Sequence, residues 1–283
     1  MANGNALSEL YSYNTADDEV KWKNVIEKQY CPFISRKCLK NRKSDAKQSI
    51  GSCSIQYGKE SDTIIVCPFR FLERNKIFFD SIHLLRLHEP GNELHVINEF
   101  SIPGGNVDYI LASARDGKVK DFVGIEMQAL DTTGTVWPSR QKLLHKFGVK
   151  VLKSDRESTD TFGVNWKMTA KTILVQLHHK ILTFESLHKH LLLVVQDKMM
   201  DYMTSQFDFS SLHDTLNGDS MHFHMYEMSK KGHKFQLVLK NRKSTDADGI
   251  AKCLGLQANP QVELNIILET LTKSISEKTI LKF

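Results

Sequence analysis

The stretch NEFSIPGGNVDYIL at 98–111, followed by GIEMQ at 124–128, sets carboxylates and an amide inside strand-like apolar runs. Three such runs are predicted, over 99–103, 107–114 and 122–130. The turns between them are Pro103-Gly104-Gly105-Asn106 and Arg115-Asp116-Gly117-Lys118. A charged group in a sheet interior costs on the order of several kcal/mol unless it is paired or bound to a metal. Register decides whether these groups meet. An even-length turn centred on Gly104-Gly105 pairs Ser101 with Asp108 and leaves Glu99 on the same face, one step along. A three-residue loop at Asp116-Gly117-Lys118 sets Asp108 opposite Glu126; a two-residue turn at Asp116-Gly117 sends them to opposite faces. Gln128 shares the face of Glu126 because side chains alternate with period two.

If the three-residue loop holds, Glu99, Asp108, Glu126 and Gln128 converge. Carboxylates held this close repel one another and form an oxygen-ligand site of the kind that suits Mg²⁺. Such a site activates water and stabilises the charge that builds up in phosphodiester hydrolysis. The plainer alternative is a sheet whose charges face solvent.

Outward from this core, 1–85 and 86–283 differ in character. The first part is polar at its start, then poor in periodic elements, with a basic stretch over 36–47. In the second part Pro90-Gly91-Asn92 reads as a helix start, with Asn92 as N-cap and Glu93 in the first turn. Helices are expected over 164–179, 184–202 and 260–276, and a strand pair over 221–228 and 234–239.

Four of the five cysteines, Cys31, Cys38, Cys53 and Cys67, fall within the first part. In a reducing compartment clustered cysteines point to a metal before they point to disulfides. Four thiolates close a tetrahedral shell around zinc or iron. Cys31-Pro32-Phe33 and Cys67-Pro68-Phe69 are near copies, as if two similar knuckles each present one sulfur, and Gly51-Ser52 precedes Cys53. Cys253 stands apart as an ordinary buried thiol. Nearly all of the twelve histidines lack metal-ligand spacing, and the pairs His178-His179, His188/His190 and His222/His224 are read as solvated or satisfied imidazoles before ligands.

The 283 residues are 41% apolar and 25% charged, enough for a large core and incompatible with general disorder. No apolar run is long enough to span a bilayer, and the N-terminal residues lack a secretory pattern, so a cytoplasmic protein is expected. A net charge of +5 permits a polyanionic partner without requiring one.

Asp108 followed by Glu126-x-Gln128 resembles the PD-(D/E)xK nuclease core. More specifically, the four cysteines, NEFSIPGGNVDYILAS (98–113) and GIEMQALDTTGTVWPSR (124–140) resemble the NotI family of type II restriction endonucleases. The resemblance implies an α/β fold: a restriction-endonuclease-like central mixed sheet flanked by helices, preceded by a four-cysteine module holding iron. It implies a homodimer that makes Mg²⁺-dependent double-strand cuts in a GC-rich, GGCC-centred palindrome (CGGCCG-like), in a bacterial cytoplasm. A companion DNA methyltransferase is expected to protect the host. By similarity Asp108 and Glu126 are Mg²⁺ ligands, and Gln128 stands where the superfamily has a water-orienting lysine. The additional acid is Glu99 by register, with a helix-borne Glu93 as the alternative.

Arg140, Gln141 and Lys142, just beyond the third strand, are candidate readers of double-stranded DNA, and the basic stretch 36–47 is a candidate phosphate grip. Two-fold symmetry of the target favours a homodimer, with the apolar helices of 164–202 expected to form part of its interface. The competing readings are a non-catalytic four-cysteine DNA-binding protein and a repair or recombination nuclease of the same fold.

Overall fold

The computed structural model describes residues 6–42, 44–256 and 273. All but one residue of the helix expected over 260–276 lies outside the described residues. Among these, the largest sheet has seven strands. Six of them frame the site: β1 (Glu93–Ile102), β2 (Gly105–Arg115), β3 (Lys118–Gln128), β4 (His190–Gln196), β5 (Met221–Lys231) and β6 (Lys234–Thr245). They lie in the order β6-β5-β4-β3-β2-β1, with the short strand His213–Asp214 outside β6. β1 to β3 form an antiparallel meander, β3, β4 and β5 run parallel, and β6 returns antiparallel. The helices that bear on the argument are α1 (Trp137–Lys146), α2 (Trp166–Ser186) and α3 (Asp197–Gln206). The architecture is the expected mixed sheet flanked by helices.

Both faces of the sheet are covered. Ile173, Leu174, Leu177, Ile181 and Phe184 of α2 pack with Ile110 and Ala112 of β2, Leu191, Leu193 and Val195 of β4, and the methionines of α3. On the other face Leu192 and Val194 pack with Val123, Ile125 and Met127 of β3 and with Phe71, Ile77 and Phe78 of the segment before β1. A strand buried on both faces is apolar throughout, which is why Leu191-Leu192-Leu193-Val194-Val195 carries no period-two signal. The helix expected over 184–202 is therefore corrected to the end of α2, strand β4 and the start of α3. The same burial takes Ile173, Leu174, Leu177, Ile181 and Phe184 of α2 into the core, while Met168, Val175, Leu182 and Leu187 of the expected interface segment 164–202 are exposed. The exposed apolar side chains of β1, Leu94, Val96, Ile97 and Phe100, lie on an edge strand.

The helix start at Asn92 is also corrected: Glu93 opens β1 and pairs with Ala114. The β1–β2 turn is two residues, Pro103-Gly104, because Ile102 pairs with Gly105. Ser101 thus faces Asn106, not Asp108, and Asp108 comes opposite Glu99. Glu99 has φ +53°, a left-handed conformation that a non-glycine residue rarely adopts.

The β2–β3 turn is the two-residue form, Asp116-Gly117, with both residues left-handed as a tight hairpin requires. Taken alone it would separate Asp108 from Glu126. A β-bulge reverses that outcome. Ala114 pairs with Val119 and Ser113 with Asp121, so Lys120 is an extra residue in β3. Beyond it Tyr109 pairs with Ile125, and Asp108 stands beside Glu126.

The first part of the chain builds a four-stranded sheet from Tyr13–Asn14, Ala6–Leu10, Ser52–Tyr57 and Asp62–Ile65. Its Leu7, Ile55 and Ile64 belong to the same core as α2. Gln196 at the end of β4 fastens the two parts: its Nε2 donates to the Thr63 carbonyl at 2.6 Å, and its Oε1 accepts from the Ile65 amide at 2.8 Å.

Candidate active site

Asp108 and Glu126 share the sheet face that α2 covers. Asp108 accepts a hydrogen bond from the Met127 amide at 2.8 Å on Oδ2, which fixes its carboxylate against β3. Burial pushes its pKa up, opposed by that amide and by Lys180, while Glu99 adds repulsion. Glu126 is 4% exposed. Its carboxyl is raised from 4.5 to about 7, first by burial and then by Asp108, against the pull of Lys180. A carboxylate whose proton affinity is raised by its neighbour marks a pair short of positive charge, which is the condition a divalent cation relieves.

Lys180 was not singled out by sequence reasoning. Its Nζ donates to Glu126 Oε1 at 2.6 Å, from a side chain 6% exposed. α2 brings it there because Lys180 falls on the stripe of Ile173, Leu177, Ile181 and Phe184. A lysine within a helix's apolar stripe is the one signal that could have marked it, since such a position is costly without a partner. Glycines permit the close approach. A Cβ on Gly104 would lie 2.2 Å from the His179 carbonyl oxygen, and one on Gly124 would lie 2.3 Å from the Phe184 ring. Thr183 Oγ1 donates to the Pro103 carbonyl at 2.8 Å, tying α2 to the β1–β2 turn.

Gln128 follows on the same face of β3, half-buried, and its amide donates to the Ala129 carbonyl. Glu99 is exposed. Glu93 lies at the other end of the β1–β2 hairpin, within reach of His95.

The cysteine segment packs on the sheet face opposite to α2. Phe33 and Ile34 pack into the core that includes Tyr109 and Met127, and the positive charge of Arg36 reaches Tyr109, the neighbour of Asp108. Cys31, Cys38, Cys53 and Cys67 are buried and unbridged. Cys31 accepts amide hydrogens from Phe33 and Ile34, Cys67 from Phe69 and Cys53 from Ser12. The two Cys-Pro-Phe segments therefore do the same thing: each sulfur accepts the amide two residues on. The Cys67 thiol, held at about 11 chiefly by burial, also feels Cys38 and Cys31, and Cys53 feels Cys67. Among the described residues, no group of three or more His, Cys, Asp or Glu side chains is arranged to hold a metal ion. Cys253 is buried in the helix Ala247–Cys253.

The three candidate DNA readers separate. Arg140 is 3% exposed, its Nε donating to the Ile50 carbonyl at 2.9 Å and its Nη1 to Gln141 Oε1 at 2.7 Å. Its guanidinium lies over the Trp137 ring, 4.6 Å from the centroid. Gln141 is buried beside it. Lys142 is exposed and donates to the Ser158 carbonyl.

Over residues 21–237, more than half of the chain, the sequence matches the family described as Restriction endonuclease NotI. No curated protein matches it.

Proposed function

Because the chain belongs to the NotI restriction endonuclease family, whose members cut DNA at specific sites, we infer that Asp108 and Glu126 are its catalytic metal ligands. The observation that carries this reading is the bulge-set juxtaposition of the two carboxylates on one face of β2 and β3. Their shared excess of negative charge fits Mg²⁺. When bound, that ion would polarise the scissile phosphate and lower the pKa of a water molecule. Asp108 is held in place by the Met127 amide and Glu126 by Lys180, so the pair is fixed before the ion arrives. Glu99, opposite Asp108 and exposed, is placed to hold an outer-sphere water. Gln128 is neutral and can orient a water molecule but cannot carry charge.

In the reaction the water oxygen bonds to phosphorus and the bond from phosphorus to one sugar oxygen breaks. The products are a phosphate on one end and a hydroxyl on the other. The proposed substrate is a GC-rich palindrome cut in both strands by a homodimer, which leaves a requirement for a protecting methyltransferase in the same cell. Among the described residues no helix is long and apolar enough to cross a membrane. Arg36 and the basic stretch around it are proposed to grip phosphates; the support is the positive charge of Arg36 felt at Tyr109, next to Asp108.

The four cysteines are proposed to bind one structural iron or zinc ion. The support is their mutual electrostatic contact and the amide hydrogens that Cys31, Cys53 and Cys67 accept, which stabilise thiolates. The site as described is not closed into a ligand group, so no catalytic step is assigned to it.

Incubation of the purified protein with plasmid DNA, with and without Mg²⁺, tests the reading. Discrete fragments that require Mg²⁺ are expected. Random nicking, or an unchanged plasmid under all divalent ions, would refute it.

A further inference from the structure

Phosphodiester hydrolysis builds negative charge on the phosphorus oxygens next to a site that already holds two carboxylates. One divalent ion balances the carboxylates and leaves the growing charge unanswered. Next to Glu126 on its own face of β3 the strand offers no cation, since Gln128 is neutral and its amide is engaged with the Ala129 carbonyl. α2 offers one. Lys180 Nζ lies 2.6 Å from Glu126 Oε1, on the sheet face that carries both carboxylates.

A lysine kept for stability alone would be an odd choice here. Its neighbours along the stripe are Ile173, Leu177, Ile181 and Phe184, and an apolar side chain in its place would avoid the cost of burying charge. The surrounding backbone is shaped to admit it. Gly104 removes the side chain that would strike the His179 carbonyl, and a Cβ on Gly105 would stand 3.4 Å from Lys180 Cε. Thr183 clamps the same helix turn to Pro103.

We propose that Lys180 is the catalytic ammonium of this site, orienting the attacking water beside Glu126 and offsetting charge on the phosphate in the transition state. This rests on the nuclease reading above. The water oxygen bonds to phosphorus and its proton passes to a non-bridging phosphate oxygen. The sugar oxygen departs with the bonding electron pair and takes a proton from solvent, and the new phosphate then releases its extra proton. Lys180 stays protonated throughout.

The test is Lys180→Met, which keeps the length and apolar stem, alone and combined with Gln128→Lys. Single-turnover cleavage with Mg²⁺ is expected to fall by about 10²-fold or more, with DNA binding measured in Ca²⁺ changed far less. The double variant, which returns an ammonium from β3, is expected to recover at least about tenfold of that loss. Mn²⁺ binding without DNA is expected to tighten by about tenfold in Lys180→Met, because a like charge has left the site. Wild-type cleavage rates in Lys180→Met, or parallel loss of binding and cleavage that Gln128→Lys leaves unrepaired, would overturn the assignment. So would unchanged Mn²⁺ affinity, even if the wild-type protein cut no DNA. Failure of the wild type to cut would instead overturn the nuclease reading.

Discussion

Asp108 Oδ2 accepts the amide hydrogen of Met127, the residue that follows its partner Glu126, at 2.8 Å. The two carboxylates are thus joined through backbone as well as through register. Each is positioned by the strand of the other, which is how a site can hold like charges at short range without letting them drift apart.

Neutralising either carboxylate should therefore remove catalysis without removing DNA binding. Asp108→Asn and Glu126→Gln are expected to lower Mg²⁺-dependent cleavage by about 10³-fold, since metal stabilisation is worth several kcal/mol. Gel-shift affinity in Ca²⁺ should hold or improve. Wild-type cleavage by Asp108→Asn would exclude this site.

The raised carboxyl of Glu126 makes a pH prediction for the protein free of divalent ions. Between 4.5 and about 7 the folded protein keeps a proton that the unfolded chain has released. That contribution to stability is complete below 4.5 and is lost as pH rises through about 7. Urea unfolding across this range should show the fall, and Glu126→Gln should flatten it. An identical slope in the variant would contradict the shift.

Replacing Cys31, Cys38, Cys53 or Cys67 by Ser should each cost metal content and folding, because ligand loss in such modules is loss of folding free energy. Cys253→Ser should retain the metal and lose only about 1 kcal/mol. Elemental analysis and thermal melts distinguish the two classes. Far less than about one transition-metal ion per chain in the wild type would refute the four-cysteine site.

Gly124→Ala places a methyl group against the Phe184 ring. The expected cost is about 1–3 kcal/mol, with cleavage reduced because α2 is pushed from β3. Phe184→Leu in the same chain should restore part of both. A Gly124→Ala protein that melts and cuts like wild type would show that α2 is not held this tightly.

Arg140→Ala should appear in stability first. It leaves the Ile50 carbonyl without the guanidinium donor, while Ser49 keeps the Tyr11 hydroxyl, and the expected cost is about 1–3 kcal/mol. Lys142→Ala, at an exposed position, should instead reduce the salt dependence of DNA affinity with little change in melting temperature. A salt slope altered by Arg140→Ala and not by Lys142→Ala would reverse these assignments.

Legibility in the sequence followed burial. β2 and β3 were readable because apolar residues alternate between well-marked turns; the mixed sheet followed from the family resemblance. β4 was not, since burial on both faces erases alternation. β1 was half read for the opposite reason: exposed over almost its whole length, it shows little apolar pattern, and Asn92-Glu93 resembles a helix cap. Asp108 and Glu126 were legible as charges out of place in strands. Lys180 was not, because its meaning depends on a partner 54 residues away and on a helix whose docking no local pattern announces.

Lys120 gives the β2–β3 hairpin an unusual tolerance. A third loop residue and a bulged residue are interchangeable in parity: either one returns Asp108 to the side of Glu126. Deleting Lys120 removes only the unpaired residue, and Ser113 still meets Asp121 behind the same two-residue turn. A residue inserted at Asp116-Gly117 widens the loop and leaves the pairs beyond it in place, provided that the bulge is kept. What this hairpin cannot survive is a bulge that flattens while the turn and the chain length stay as they are, because Asp108 would then face Ile125. Relatives with different turn lengths can therefore share one active site.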